Sequence, residues 1–173
     1  MAAAVKILFL SKEVEARIRA HGAETYPHEC CGALLGKDRV ATDGVGEGTL
    51  REVWSVFPLV NRRDDSPRNR FSVTSEDVME AEKAARKESM DVVGWYHSHP
   101  DHPARPSEFD REHAWPWYSY IIVSVHQGSP QEMTSWRLND DRAAYESETV
   151  AIHPREAATE KNRVQVDSKS AGQ

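Results

Sequence analysis

The fold is decided by residues 91–110, which read DVVGWYHSHPDHPARPSEFD. The first half of this stretch is a short and nearly continuous apolar run, which predicts a buried strand over 91–97. The second half is a polar loop that leads to Ser107, a residue suited to cap a short helix over 107–114. A buried strand joined to a helix in this way is typical of layered α/β domains.

Four polar residues of this stretch form a pattern that indicates a functional site. Alternate residues of an extended chain face the same side, so His97 and His99 can present two imidazoles to one point. Ser107 and Asp110 are three residues apart and therefore share one face of a helical turn. If the loop between them folds back, two imidazoles and one carboxylate converge. That ligand set suits a catalytic zinc ion whose fourth ligand is water.

The same residues also have an interpretation without a metal. His97 and His99 could form a hydrogen-bonded pair at the end of a strand. Ser107 followed by Asp110 matches a helix N-cap with an acidic third helical residue. The two interpretations are compatible, because a capped helix is a rigid platform for a metal ligand.

The character of such a site depends on three further residues. His102 and His113 could be exposed, or they could complete a closed site of four protein ligands, which would make the metal inert. A zinc hydrolase also needs a base near the metal. Glu29 is a candidate because it stands between a predicted helix and a buried strand, where an unused acid would be costly. The position of Glu29 in the sequence is equally consistent with an exposed carboxylate on a loop.

Strands and helices alternate through the rest of the chain, which predicts one α/β domain over residues 1–152. Residues 153–173 are polar and almost free of large apolar side chains, which predicts a disordered tail. The segment from Arg62 to Arg70 is predicted to be a surface loop. Other strands are predicted over 5–10, 31–35, 52–60, 71–73, 118–126, 133–138 and 145–152, and helices over 11–24 and 74–88.

Composition narrows the classes of function. The chain has 173 residues and a formal net charge of −6. A nucleic-acid-binding protein needs a basic face to meet phosphate, so this charge argues against that class of protein. No apolar stretch approaches the roughly 18 residues of a membrane-spanning helix. Cys30 and Cys31 are neighbours that cannot form an unstrained disulfide, so both are expected to be small buried side chains. These features predict a cytoplasmic protein that binds neither nucleic acid nor membranes.

Three separate segments together resemble the JAMM (MPN+) zinc metalloproteases, in their small single-domain prokaryotic branch. The signature of that family is a glutamate, then His-x-His, seven residues, and Ser-x-x-Asp. It is matched here by ECCGALLG at 29–36, GWYHSHP at 94–100 and SEFD at 107–110. The resemblance implies an α/β/α sandwich of the JAMM/MPN, cytidine-deaminase-like type, with a mixed central sheet.

The resemblance also implies a role for each residue of the signature. His97, His99 and Asp110 would bind one zinc ion per chain, with water as the fourth ligand. Glu29 would hold that water and move its proton, so that the water attacks the scissile carbonyl. Ser107 would help to stabilise the oxyanion that forms.

The substrates that the resemblance implies are ubiquitin-like proteins, either sulfur carriers or modifiers. The enzyme would hydrolyse the peptide or isopeptide bond after their C-terminal Gly-Gly pair, whose missing side chains allow entry through a narrow groove. Such an enzyme is expected to act as a monomer or a homodimer. The sequence leaves open whether Trp115 and Trp117 are buried or form an exposed docking site.

Two other classes of protein remain as alternatives. A non-catalytic MPN-type interaction domain would have the same fold, although such domains lack part of the signature and this chain lacks none of it. A zinc deaminase would share the fold type, but its chemistry expects His-x-Glu and a later Pro-Cys-x-x-Cys. The only cysteines here are adjacent and lie upstream of the histidines.

Overall fold

The computed structural model describes residues 6–40, 49–60 and 72–153. The predicted loop from Arg62 to Arg70 and residues 154–173 of the predicted tail lie outside these ranges. The predicted strand at 71–73 is wrong for its described residues, because 72 and 73 lead into a helix without strand pairing. In chain order, the elements are β1 (Ile7–Ser11), α1 (Lys12–Thr25), β2 (Cys31–Val40), β3 (Thr49–Leu59), α2 (Ser75–Lys87), β4 (Asp91–Pro100), α3 (Glu108–His113), β5 (Ser119–His126), β6 (Ser129–Leu138) and β7 (Tyr145–His153).

The two longer helices begin at the hydroxyl side chains that the sequence provides. The Oγ of Ser11 accepts a hydrogen bond from the amide of Val14 at 3.1 Å. Thr74 and Asp77 form a reciprocal capping box at the start of α2. Each cap satisfies amides that have no partner within the first turn of a helix. None of the helices in the described ranges has the length and apolar character of a membrane span.

The described strands form a mixed sheet that closes on itself, in the order β1-β3-β2-β4-β5-β6-β7. β1 is parallel to both of its neighbours, β3 and β7, and its contact with β7 joins the two ends of the sheet. β4 and β5 are parallel, and the other neighbouring pairs are antiparallel. The mixed sheet is confirmed. The predicted sandwich is corrected to a closed barrel, because pairing of β1 with β7 leaves the sheet without a free edge.

The sheet has a core on each of its two faces. Successive strand residues point to opposite faces, but the register of β4 with β2 shifts at Val93, which interrupts the alternation there. Val93 and Tyr96 therefore enter the core that α1 covers, and Val92 and Trp95 enter the core that α2 covers. His97 and His99 continue the alternation of Trp95. The two imidazoles are therefore directed to the face of the sheet on which α2 packs.

The predicted end of β2 at Leu35 is wrong. The strand continues to Val40, and Gly36 lies where its register with β3 shifts. A Cβ atom at Gly36 would collide with the backbone of Glu52. The glycine is therefore required by the close approach of two strands rather than by a turn.

Candidate metal centre and active site

The end of β4 holds the two histidines side by side. His97 and His99 are 1% and 8% exposed, and their Nε2 atoms lie 3.1 Å apart. The Nδ1 of His99 is 2.8 Å from the carbonyl oxygen of Pro103. A carbonyl can only accept, so this contact places the proton on Nδ1 and leaves the lone pair of Nε2 free to bind a metal.

Asp110 reaches the histidines from the first turn of α3. The Oγ of Ser107 accepts from the amide of Asp110 at 3.1 Å, and the amide of Ser107 donates to Oδ2 of Asp110 at 2.7 Å. This capping box confirms the predicted helix start. The same carboxylate places Oδ1 at 3.3 Å from Nε2 of His97 and Oδ2 at 3.5 Å from Nε2 of His99. The carboxylate that caps α3 is thus the same group that converges on the two histidines.

The three side chains of His97, His99 and Asp110, called the ligand trio below, have the spacing that zinc requires. The two Nε2 atoms are 3.1 Å apart, and those of His97 and His99 lie 3.3 and 3.5 Å from Oδ1 and Oδ2 of Asp110, respectively. Tetrahedral ligands at the usual zinc distances would be about 3.3–3.4 Å apart. Among the residues that the structure describes, no further His, Cys, Asp or Glu donor joins the group, so an ion held there would keep one position open. His113 instead directs Nδ1 to the carbonyl oxygen of Phe109 at 2.8 Å.

Burial and contacts bring His97 and Asp110 to the protonation states that bind metals. Burial lowers the pKa of His97, although Asp110 opposes the effect, so the imidazole is neutral at neutral pH. Burial opposes ionisation of Asp110, but its contacts with His97 and His99 and with the Ser107 amide outweigh it and hold the pKa below its usual range. Neutral imidazoles and an ionised carboxylate are the forms that coordinate a cation.

Glu29 is buried beside the trio rather than exposed on a loop. Its exposed fraction is 4%. Burial raises the pKa of Glu29 to about 9, and the negative charge of Asp110 adds to the effect. Of the two interpretations that the sequence leaves open, the structure therefore favours a buried functional acid.

Ser98, which lies between the two histidines, fixes the position of the chain next to Glu29. Its Oγ accepts from the amide of Cys30 at 2.8 Å, and its amide donates to the carbonyl of Cys30 at 3.1 Å. Cys31 then pairs with His97 across β2 and β4. Sequence reasoning missed this role of Ser98, because the partner is 68 residues away.

Both cysteines are buried, as predicted. Cys30 is 1% exposed and Cys31 is inaccessible. Burial raises the pKa of Cys30 to about 11 and that of Cys31 to about 12. Both side chains therefore stay neutral thiols, which are poor nucleophiles.

Two cavities adjoin the ligand trio. The larger has a volume of about 360 Å³ and contains both predicted catalytic residues, Glu29 and Ser107. The smaller has a volume of about 140 Å³ and is lined by His97 and Asp110 together with mainly apolar side chains. The other residues that line the larger cavity are His99, His102, Pro103 and Arg105.

Trp115 and Trp117 are exposed, at 64% and 54%, which answers the question that the sequence leaves open. The ring of Trp117 lies 4.6 Å from the guanidinium carbon of Arg51. Arg51 is itself fully buried and donates to the carbonyl oxygens of Val93 and Trp117 at 2.8 and 3.0 Å. This contact, which sequence reasoning missed, holds the segment between α3 and β5 against β3.

Comparison with known proteins agrees with the geometry of the site. Residues 11–139 match the family described as prokaryotic homologs of the JAB domain. The desampylase of Haloferax volcanii is 34% identical over 99 residues, which are 57% of this chain and 63% of that protein, so the match spans less than two thirds of it. The probable TtuB-protein conjugate cleaving protease of Thermus thermophilus is 29% identical over 119 residues, 69% of this chain and 71% of that protein.

A solved structure extends the match to the fold. The solution structure of a protein from Desulfitobacterium hafniense superposes with a TM-score of 0.70 and 30% sequence identity. The superposition covers 86% of this chain and 94% of that one. The family match over residues 11–139 and the arrangement of the signature residues confirm the resemblance to JAMM proteins, and this chain belongs to the family of prokaryotic JAB-domain homologues.

Proposed function

We propose that this protein is a zinc-dependent hydrolase that cleaves the peptide or isopeptide bond after the C-terminal Gly-Gly pair of a ubiquitin-like protein. The observation that carries the proposal is the ligand trio, whose atoms lie 3.1–3.5 Å apart, with Glu29 buried beside it. Family membership supports the proposal, as do the names of the two relatives, a desampylase and a conjugate cleaving protease.

His97, His99 and Asp110 would hold the zinc ion. When bound, zinc supplies a Lewis acid that polarises the scissile carbonyl and lowers the pKa of water. The hydrogen bond from His99 to the carbonyl of Pro103 keeps that imidazole in the required orientation and tautomer. The capping box does the same for Asp110, because it fixes the carboxylate to the first turn of α3.

Glu29 acts as the proton carrier. Its carboxylate accepts a proton from the attacking water, and the resulting carboxyl group then donates that proton to the nitrogen of the leaving amine. Burial makes this carboxylate a stronger base than an exposed glutamate. A cation at the neighbouring trio favours the ionised form, so it lowers the pKa of Glu29 from the value that burial alone sets.

Ser107 stabilises the developing oxyanion. Its Oγ accepts a hydrogen bond from the amide of Asp110, and its own hydroxyl proton remains for donation. Ser107 and Glu29 line the same cavity, so a carbonyl group bound there can meet both. A donor directed at an oxyanion contributes about 2.7–4 kcal/mol to the stability of a transition state.

The test is a cleavage assay with the zinc-loaded full chain. The substrate is a ubiquitin-like protein ending in Gly-Gly, fused to a reporter by a peptide bond in one sample and through a lysine side chain in another. We expect cleavage of at least one fusion, loss of cleavage with a chelator, and recovery on addition of zinc. Glu29→Gln should lower kcat by about 10²–10⁴-fold while the zinc content stays unchanged.

The matched control is Glu24→Gln, which changes an exposed glutamate at the end of α1 and should leave kcat unchanged. Wild-type activity in Glu29→Gln, or cleavage that resists chelation, would contradict the proposal. Binding of the ubiquitin-like protein without cleavage of either fusion would favour a non-catalytic interaction domain instead.

A further inference from the structure

The smaller cavity beside the trio has no part in the proposed hydrolysis. It has a volume of about 140 Å³, and His97 and Asp110 form part of its wall, whereas Glu29 and Ser107 line the other cavity. Two valines and five aromatic residues form most of the remaining wall, and Ser72 and His113 complete it. The aromatic residues are Trp95, Phe109, Trp115, Tyr120 and Tyr145.

Both tyrosine hydroxyls of this cavity, called the aromatic pocket below, are already engaged in hydrogen bonds. The Oη of Tyr120 accepts a hydrogen bond from the amide of Trp115 at 2.7 Å. The Oη of Tyr145 donates to the carbonyl oxygen of Asp110 at 3.1 Å. Burial raises the pKa of Tyr120 to about 12, and burial also holds that of Tyr145 above its usual range, so both phenols stay neutral. Apart from the polar side chains of Ser72, His97, Asp110 and His113, the pocket therefore offers a ligand apolar side chains and neutral phenols.

Trp115 forms the mouth of the pocket. It lines the cavity but remains 64% exposed, so the cavity is open to solvent on this side. Its ring lies 5.5 Å from the guanidinium carbon of Arg142, and its amide is held by Tyr120. These contacts fix the position of an aromatic side chain that is otherwise uncovered.

We propose that the aromatic pocket binds the first side chain that precedes the Gly-Gly pair of the substrate, and that this side chain is apolar. The assignment rests on the proposed function. An apolar cavity of about 150 Å³ holds a benzene molecule, so the pocket accommodates a leucine or a phenylalanine side chain. Two extended glycines span about 6.6 Å, and His97 and Asp110 form part of the pocket wall, so a tail whose scissile bond lies at the trio can place its next residue in the pocket.

The pocket consequently selects among substrate tails. A hydrophobic pocket discriminates by roughly 10–200-fold for each methylene that is missing from its ligand. An acidic side chain would lose its hydration among aromatic walls and would face the carboxylate of Asp110, so it should be excluded more strongly.

Binding of benzene tests the pocket independently of catalysis. Thermal unfolding of the zinc-loaded full chain is measured with and without saturating benzene, and the wild-type Tm should rise. Val78→Phe places a ring in the cavity from α2 and should abolish the rise. Met79→Phe is the matched control, because its side chain is on the same helix but 68% exposed, and it should keep the rise. Val73→Phe fills the cavity from another segment if Val78→Phe fails to fold.

The second arm measures kcat/KM for three substrate tails, with leucine, alanine or aspartate before the Gly-Gly pair. The wild type should prefer leucine over alanine by at least 10-fold, and Val78→Phe should lose this preference. No rise in Tm with benzene, an equal rise in Val78→Phe, or equal kcat/KM for all three tails would overturn the proposal. If benzene binds as expected but no tail is cleaved, the proposed hydrolysis fails while the pocket is supported.

Discussion

Two buried clusters of polar groups in this domain are built in opposite ways. Arg51, fully buried on β3, donates to both carboxylate oxygens of Asp38 at 2.7 and 2.9 Å, to two backbone carbonyls and to the hydroxyl of Ser119. In that cluster, a rigid donor group is surrounded by acceptors. In the trio of His97, His99 and Asp110, metal-binding nitrogen and oxygen atoms converge on one point.

The difference separates a cluster that supports the fold from one that supports chemistry. The Arg51 network completes its hydrogen bonds within the protein, so its removal should cost stability and leave the site intact. The trio gathers atoms of the kind that hold a cation, so its removal should cost metal binding and leave the fold largely intact.

The largest expected effect on stability is that of Arg51→Met. The change leaves buried carbonyl groups without a donor and Asp38 without its partner, and it should lower the free energy of unfolding by about 3–5 kcal/mol. Urea unfolding followed by circular dichroism measures the loss. The exposed Arg86 gives the control: Arg86→Met should change the free energy by less than about 0.5 kcal/mol. A similar small effect in Arg51→Met, or loss of zinc from the folded variant, would contradict the assignment of Arg51 to stability and of the trio to metal binding.

Ser107→Ala should affect both catalysis and stability, because Ser107 is assigned to the oxyanion and also caps α3. Loss of the hydroxyl should lower kcat by about 10²–10³-fold, and loss of the cap should lower the free energy of unfolding by about 1 kcal/mol. Thr74→Ala removes the equivalent cap of α2 and should lower stability by a similar amount with kcat unchanged. Equal kcat values in the two variants would limit Ser107 to its role as a cap.

Glu29→Gln should stabilise the metal-free protein, by about 2 kcal/mol or more at pH 8. The pKa of Glu29 is near 4.5 in the unfolded chain and about 9 in the fold, so the wild type loses stability as pH rises through this interval and the glutamine variant does not. Urea unfolding with chelator at pH 4, 6 and 8 should show no difference at pH 4 and a growing one above it. A constant difference across these pH values would show that burial of the charge is not the cause. Bound zinc should reduce the difference, because a nearby cation favours the carboxylate.

The parts of the site that the sequence predicts depend on short-range geometry. The period of a strand puts His97 and His99 on one face, and the first turn of a capped helix fixes Asp110 relative to Ser107. Only one feature had to be assumed, namely that the loop at 100–106 folds back and brings Asp110 to the histidines. The candidate site residues could therefore be named without knowledge of the sheet.

The parts that the sequence does not predict depend on long-range pairing. Nothing in the pattern of β1 shows that Ile7 pairs with Thr149, and this pairing changes a sandwich into a barrel. Arg51 stands just before the predicted strand at 52–60 and looks like a solvated charge, because arginine is seldom fully buried without a partner. Its partners come from three other segments of the chain, at Asp38, Val93 and Trp117.

The most direct test of the central claim is the zinc content of Asp110→Ala beside that of the wild type. Each protein is loaded with zinc, dialysed and measured by atomic emission. The wild type should hold about one zinc ion per chain, and Asp110→Ala should hold almost none while remaining folded. Asp77→Ala is the matched control, because Asp77 closes the same kind of capping box in α2 but lies outside the trio, and it should keep the full zinc content. Retention of one zinc ion per chain in Asp110→Ala would contradict the account.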